Sequence, residues 1–195
     1  MTSPIGAPPP DNPFAILGLA PSFDLSTETI RRAWLRRSST LHPDRTGSGA
    51  AAAGGSHETA SESAKLNDAR RILDNAERRA DALLNLLGGP RKEQEKSLPD
   101  GFLQDILGTR MEIEEAIRDK GASGAAERAK WDDWARNERR RFTEEVSSMF
   151  RGAGPAPDET TRRAIRTKLN AWRYIERLIE QLDPEYDPSR ADFNP

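Results

Sequence analysis

The 195-residue chain has no cysteine, and that one absence removes disulfides, thiolate nucleophiles, cysteine zinc sites and iron-sulfur ligation by the chain's own thiols. His42 and His57 are its only histidines, too few for a histidine-rich metal centre. Aromatics make up only 6% of the residues, and apolar residues never run long enough to cross a bilayer. The first ten residues, MTSPIGAPPP, hold neither a basic patch nor an apolar segment of the kind a signal peptide needs, and the first arginine is Arg31. The expectation is therefore a cytoplasmic protein of bacterial type, with no membrane contact, no metal and no cofactor. Strand patterning is missing too, and with it any glycine-rich phosphate loop placed after a strand.

Charge is what the chain has in abundance. Charged residues are 32% of the total against 35% hydrophobic, with a formal net charge of -2. A mean hydropathy of -0.80 fits long helices with wide solvated faces over a thin core. Arg139-Arg140-Arg141 and Arg162-Arg163 with Arg166 and Lys168 are clusters that nucleic acid could use. Acidic Glu138, Glu144, Glu145, Asp158 and Glu159 interleave with them, the pattern of a solvated helix, so no nucleic-acid partner is expected. His42 and Asp44 have no serine or cysteine nucleophile in a recognisable elbow, so no enzyme is expected either.

Residues 1–10 read as a proline-rich disordered tail. Asp11 or Asn12 caps a short helix with Pro13 in its first turn, and Gly18 and Pro21 stop it. Ser26 caps a second helix carrying Ile30, Trp34 and Leu41 on one side, with Arg31, Arg32, Arg36 and Arg37 around the rest. Pro43 ends that helix, leaving His42-Pro43-Asp44 as an exposed turn or simply a helix stop. Thr46 to Ser56 is a small-residue loop. Helix resumes near Thr59, is interrupted at Asp74-Asn75, and runs on to Gly88-Gly89-Pro90. Arg91 to Asp100 is a charged linker whose Pro99-Asp100 can cap the next helix. Three helices then follow, broken at Gly121–Gly124 and at Gly152–Pro157: one holding Leu103 to Ile117, one from about Ala125 to Phe150, and one from Asp158 to Leu182 closed by Pro184. Trp131, Trp134 and Trp172 are expected as core anchors. The fold class is all-α, a helical hairpin with flanking short helices followed by an antiparallel three-helix bundle.

His42-Pro43-Asp44-Arg45 behind a basic helix resembles the J-domain of Hsp40 co-chaperones. Around it stand Asn12-Pro13-Phe14, Leu17-Gly18-Leu19, Ser22-Phe23-Asp24-Leu25, Leu66-Asn67-Asp68-Ala69, Arg78-Arg79-Ala80 and Leu83-Leu84. Phe102-Leu103 then opens an acidic helix through Arg110 to Glu115, and Arg173-Tyr174-Ile175-Glu176-Arg177-Leu178 lies on the last one. Over residues 11 to 182 this order is similar to the HscB family, J-proteins of iron-sulfur cluster assembly. The resemblance implies a J-domain over 11–88, a linker over 89–100, a client-binding bundle over 101–183 and a tail over 184–195. It also implies that His42, Pro43 and Asp44, with Arg31, Arg36 and Arg45, engage an Hsp70 of HscA or DnaK type and stimulate its ATPase.

For the bundle it implies that Leu103, Leu107, Met111, Glu115 and Tyr174 hold an IscU-type scaffold protein. Spacing by four can place Leu103, Leu107 and Met111 on an exposed strip with Ile106, Ile113 and Ile117 turned inward, or leave all six in the core. Gln104 and Gly108 depart from the larger apolar or acidic side chains usual in the family, and a glycine inside a helix costs ~1 kcal/mol relative to alanine. The tetracysteine zinc module of eukaryotic members is absent. A J-protein with a different client, and a helical adaptor that is not a chaperone, remain as alternatives.

Overall fold

A computed structural model describes residues 12–40, 55–118 and 122–182, except for the side chains of 55–58, 116, 117, 122, 123 and 125. His42, Pro43, Asp44, Arg45, Leu41 and Pro184 therefore lie outside the described residues, as do both expected tails and most of the expected loop. Among the described residues there are helices and no strand: α1 (Pro13–Leu17), α2 (Thr27–Thr40), α3 (Gly55–Asp74), α4 (Ala76–Leu86), α5 (Phe102–Arg118), α6 (Ala122–Ala153) and α7 (Glu159–Gln181). None is long and apolar enough to cross a membrane. They fall into two compact units, one ending at Leu86 and one beginning at Leu87.

The helix starts follow from capping. Asn12 Oδ1 accepts from the Ala15 amide at 2.8 Å, and Gly18, at φ 67°, closes α1 in the left-handed conformation that a side chain would strain. Ser26 Oγ accepts from Thr29 N at 3.1 Å, Asn75 Oδ1 from Arg78 N at 2.9 Å, and Asp158 Oδ1 from Thr161 N at 2.7 Å. Each meets one of the donors that a helix start leaves unpaired. Three helices begin or end away from the sequence reading. Helix α3 begins at Gly55, before Thr59, and α6 begins at Ala122 and runs to Ala153, taking in Gly124. Glycine and serine there lower helix propensity without forbidding the helix, and the long helical segments that follow carry them along. At α5 the cap position is Gly101, whose carbonyl accepts from Asp105 N at 3.2 Å, rather than Asp100.

In the first unit α1 and α2 both pack on α3, with Phe14, Leu17, Ile30, Ala33, Leu66, Ala69 and Leu73 buried between them. Ala33 takes the core place on α2 that the sequence pattern gives to Trp34. Trp34 is half-buried instead: its indole N–H donates to Asn67 Oδ1 at 3.0 Å and the Arg70 guanidinium lies 4.5 Å from its ring centroid. Phe23, earlier in the chain than Trp34, meets Arg79, later than Arg70, so the two chain segments run in opposite directions.

Arg79 joins that structure together. It is 8% exposed, its Nε donates to the Phe23 carbonyl at 2.9 Å, and Nη1 donates to the Leu73 carbonyl in the last turn of α3. Burial pulls its pKa below the ordinary arginine value, while Asp74 and Asp24 push the other way. An unpaired buried carbonyl costs about 1–3 kcal/mol, and Arg79→Met keeps the stem while taking the donor from the Leu73 carbonyl and leaving the Phe23 carbonyl with the Leu25 amide alone, at 2.9 Å. The expected loss is roughly 1–3 kcal/mol in the stability of the first unit, read as a lower urea midpoint together with faster amide exchange in α2 to α4. An unchanged midpoint would mean the Leu73 carbonyl finds water.

In the second unit α6 and α7 are antiparallel: Arg139 meets Glu176, Phe142 stacks on Trp172, and Glu145 pairs with Lys168, ascending on one helix and descending on the other. Helix α7 buries Ile165, Leu169, Trp172, Ile175, Leu178 and Ile179 along one stripe, which its C-cap residue Leu182 continues. At about 1.5–3 kcal/mol per large apolar side chain, that stripe is the main source of the unit's stability. Trp131 and Trp172 are buried as expected, whereas Trp134 is half-exposed, edge-on to Trp131 at 5.6 Å. The segment before α5 is strapped onto α7: Arg166 Nε donates to Pro90 O at 2.8 Å, and Asn170 Nδ2 donates to Glu95 O at 2.9 Å and Ser97 O at 3.0 Å.

Candidate partner-binding surfaces

Helix α2 presents the first surface. Its buried line is Ile30 and Ala33, which leaves Arg31, Arg32, Leu35, Arg36 and Arg37 exposed. The stripe is less bare than the sequence suggests. Glu28 takes Arg31 Nε at 2.9 Å and Arg32 Nε at 2.5 Å, the Arg31 hydrogen bond being the larger of the two influences that hold its carboxyl below the usual range. Glu28 in turn raises Arg31 above its ordinary value. Surface pairs of this kind contribute little to stability, so an acidic partner can take Arg31 from Glu28 at small cost. Leu35, 45% exposed, was not singled out in the sequence; an apolar residue inside a basic pattern reads there as part of the core side.

The second surface is on α5. Its inward side is Ile106, 7% exposed, and Ile113, fully buried; the side chain of Ile117 lies outside the described residues. Leu103, Leu107 and Met111 are 49%, 51% and 71% exposed, so of the two readings left open by their spacing, the exposed one describes these three. Glu115 is exposed on the same helix. Tyr174 of α7, 40% exposed, joins the start of the strip through an edge-on contact with Phe102 at 6.1 Å between centroids. The structure thus brings α5 and the middle of α7 together at the strip's N-terminal end.

Four exposed large apolar groups on one unit are what a soluble helix bundle normally avoids, and such a strip marks an interaction face. Beside it Phe102, Ile106, Trp134, Phe142 and Ile175 line a groove of about 330 Å³. Arg141 and Lys168 at its edge are already paired with Glu138 and Glu145. The arginine clusters resolve in the same way. Arg139 donates to Glu176 at 2.7 Å, Arg140 to Asn137 at 2.7 Å, and Arg163 to Glu159 at 2.8 Å, while Arg166 is 2% exposed and not solvated as its sequence context implied. Among the described residues no group of three histidine, aspartate or glutamate side chains is placed to hold a metal ion.

No protein-family model matches the chain. Over 174 residues it is 26% identical to the co-chaperone protein HscB homolog of Bordetella petrii, covering 88% of this chain and 94% of that one. It is 24% identical over 192 residues to the HscB homolog of Pseudoalteromonas atlantica, covering 93% and 99%. Such near end-to-end matches take in both units and the strap between Leu87 and Phe102. Over nearly its whole length the chain is similar to these HscB co-chaperones. Its fold agrees: chaperone HscB from Vibrio cholerae superposes with a TM-score of 0.68 at 20% identity over 88% of this chain and 94% of that one. The human co-chaperone HscB gives 0.65 at 21% over 87% and 79%. The chain therefore carries its exposed strip on a bundle, and its basic helix on a hairpin, within a fold shared with both solved structures.

Proposed function

We propose that the chain is a co-chaperone of iron-sulfur cluster assembly that stimulates an Hsp70 through α2 and the His42-Pro43-Asp44 corner while holding an IscU-type scaffold on α5 and α7. The observation that carries this reading is the strip of Leu103, Leu107, Met111 and Tyr174, exposed in a chain similar to HscB co-chaperones over nearly its whole length. On the Hsp70 side, Arg31 and Arg36 supply positive charge that steers encounter with an acidic surface, and Asp44 and Arg45 follow at the end of the same sequence stretch. The chain itself carries no nucleophile, metal or cofactor role in this scheme; the ATP is hydrolysed by the partner.

The test is steady-state Hsp70 ATP turnover with the chain alone, with the scaffold alone and with both. The combined stimulation is expected to exceed the sum of the separate ones, because the scaffold reaches the Hsp70 already bound to α5. A merely additive result sinks the delivery role. Gln104 and Gly108 favour one alternative, a J-protein whose bundle takes another client, and failure of an immobilised IscU-type scaffold to retain the chain would select it.

A further inference from the structure

Gly108 sits inside α5 on a solvent-exposed side, and the fold gives no reason for it to be glycine. A Cβ built there meets nothing within 4 Å, and Gly108 is not among the glycines that adopt positive φ. A glycine in a helix interior lowers helix stability, so its use at an open position points outward, to something that approaches the bare backbone closely. Its neighbours on the helix surface are Gln104 one turn before and Met111 and Glu112 one turn after. Met111 is 71% exposed, and Glu112 and Glu115 are both exposed. The result is a notch with a backbone floor, an apolar wall and carboxylates beyond it.

That combination fits a long side chain with an apolar stem and a cationic head. We infer that Gly108 determines specificity by seating a lysine or arginine of the scaffold, its stem laid along Gly108 and Met111 and its head at Glu112 and Glu115. The inference rests on the reading of α5 as the scaffold-binding face and says where on that face a basic side chain enters.

The test titrates the full chain with the IscU-type scaffold by calorimetry, alongside thermal melts. Gly108→Ala and Gly108→Leu are expected to raise the melting temperature by a few degrees while weakening binding, by about ten-fold for alanine and further for leucine. Gly152→Ala makes the same change at an open helical position of α6, and should raise the melting temperature with affinity unchanged. Glu112→Gln with Glu115→Gln should weaken binding and flatten its salt dependence. If the parent chain binds and Gly108→Leu binds equally well, the notch is wrong and the scaffold face stands. If the parent does not bind, the scaffold face falls and takes the notch with it. A lower melting temperature for Gly108→Ala would also overturn the inference, by showing that the glycine serves the fold.

Discussion

Asp44→Ala is expected to abolish stimulation of Hsp70 ATP hydrolysis while leaving scaffold binding within two-fold of the parent. A carboxylate that pairs with a partner arginine at a dehydrated contact is worth far more than one at a rim: truncating one member of such a pair typically costs about 2–5 kcal/mol, because the other charge stays buried without a counterion. At roughly 1.4 kcal/mol per decade, that is a loss of at least about thirty-fold in productive engagement, enough to erase stimulation at micromolar concentration. Arginines on α2 should behave differently. Arg36 is exposed on the helix surface, so Arg36→Glu is expected to slow association and weaken its salt dependence without removing turnover at saturating co-chaperone. The measurement is steady-state phosphate release against co-chaperone concentration at two ionic strengths. Full stimulation by Asp44→Ala would remove the Hsp70 assignment, whereas loss accompanied by a collapsed far-ultraviolet circular dichroism signal would require the conservative Asp44→Asn in its place.

How much of this was legible in the sequence depends on which interactions have a local signature. Caps do: Asn12, Ser26, Asn75 and Asp158 each satisfy an amide three residues on, so reading them needs only a short window. The α7 stripe does as well, since Ile165, Leu169, Trp172, Ile175, Ile179 and Leu182 repeat with the helix period and all prove buried. Tertiary polar contacts have no such signature. Arg79 and Arg166 sit among solvated arginines in sequence, and only the approach of the Phe23, Leu73 and Pro90 carbonyls makes them buried donors. Trp34 and Ala33 exchange roles for a related reason. Periodicity fixes which side of α2 faces inward to within about one residue, and the Asn67 acceptor then holds the indole at the margin. On α5, spacing alone could not separate strip from core, because both sets repeat every three or four residues. Exposure separates them, with Ile106 and Ile113 inside and Leu103, Leu107 and Met111 outside.

Replacing Leu103, Leu107 and Met111 together by alanine is expected to remove scaffold binding at micromolar concentration, leave direct Hsp70 stimulation intact, and cost the fold almost nothing. The three side chains are half or more exposed, so their truncation opens no cavity, and alanine is the better helix former. Their value lies in what a partner would bury. Apolar anchors at the centre of an interface commonly contribute about 2 kcal/mol or more each, and three adjacent ones on one helix amount to several decades of affinity even after allowing for non-additivity. Tyr174→Ala should act in the same direction with a smaller effect, since its ring already spends part of its surface on Phe102. The diagnostic pattern is a split between two readouts. The triple variant should stimulate Hsp70 to the parental level when alone and lose the extra stimulation seen with scaffold present. Loss of both activities would show that α5 is needed for Hsp70 contact as well. Retention of the combined effect would show that the exposed strip serves a different client from the one proposed, and that the scaffold, if it binds, does so elsewhere on the bundle.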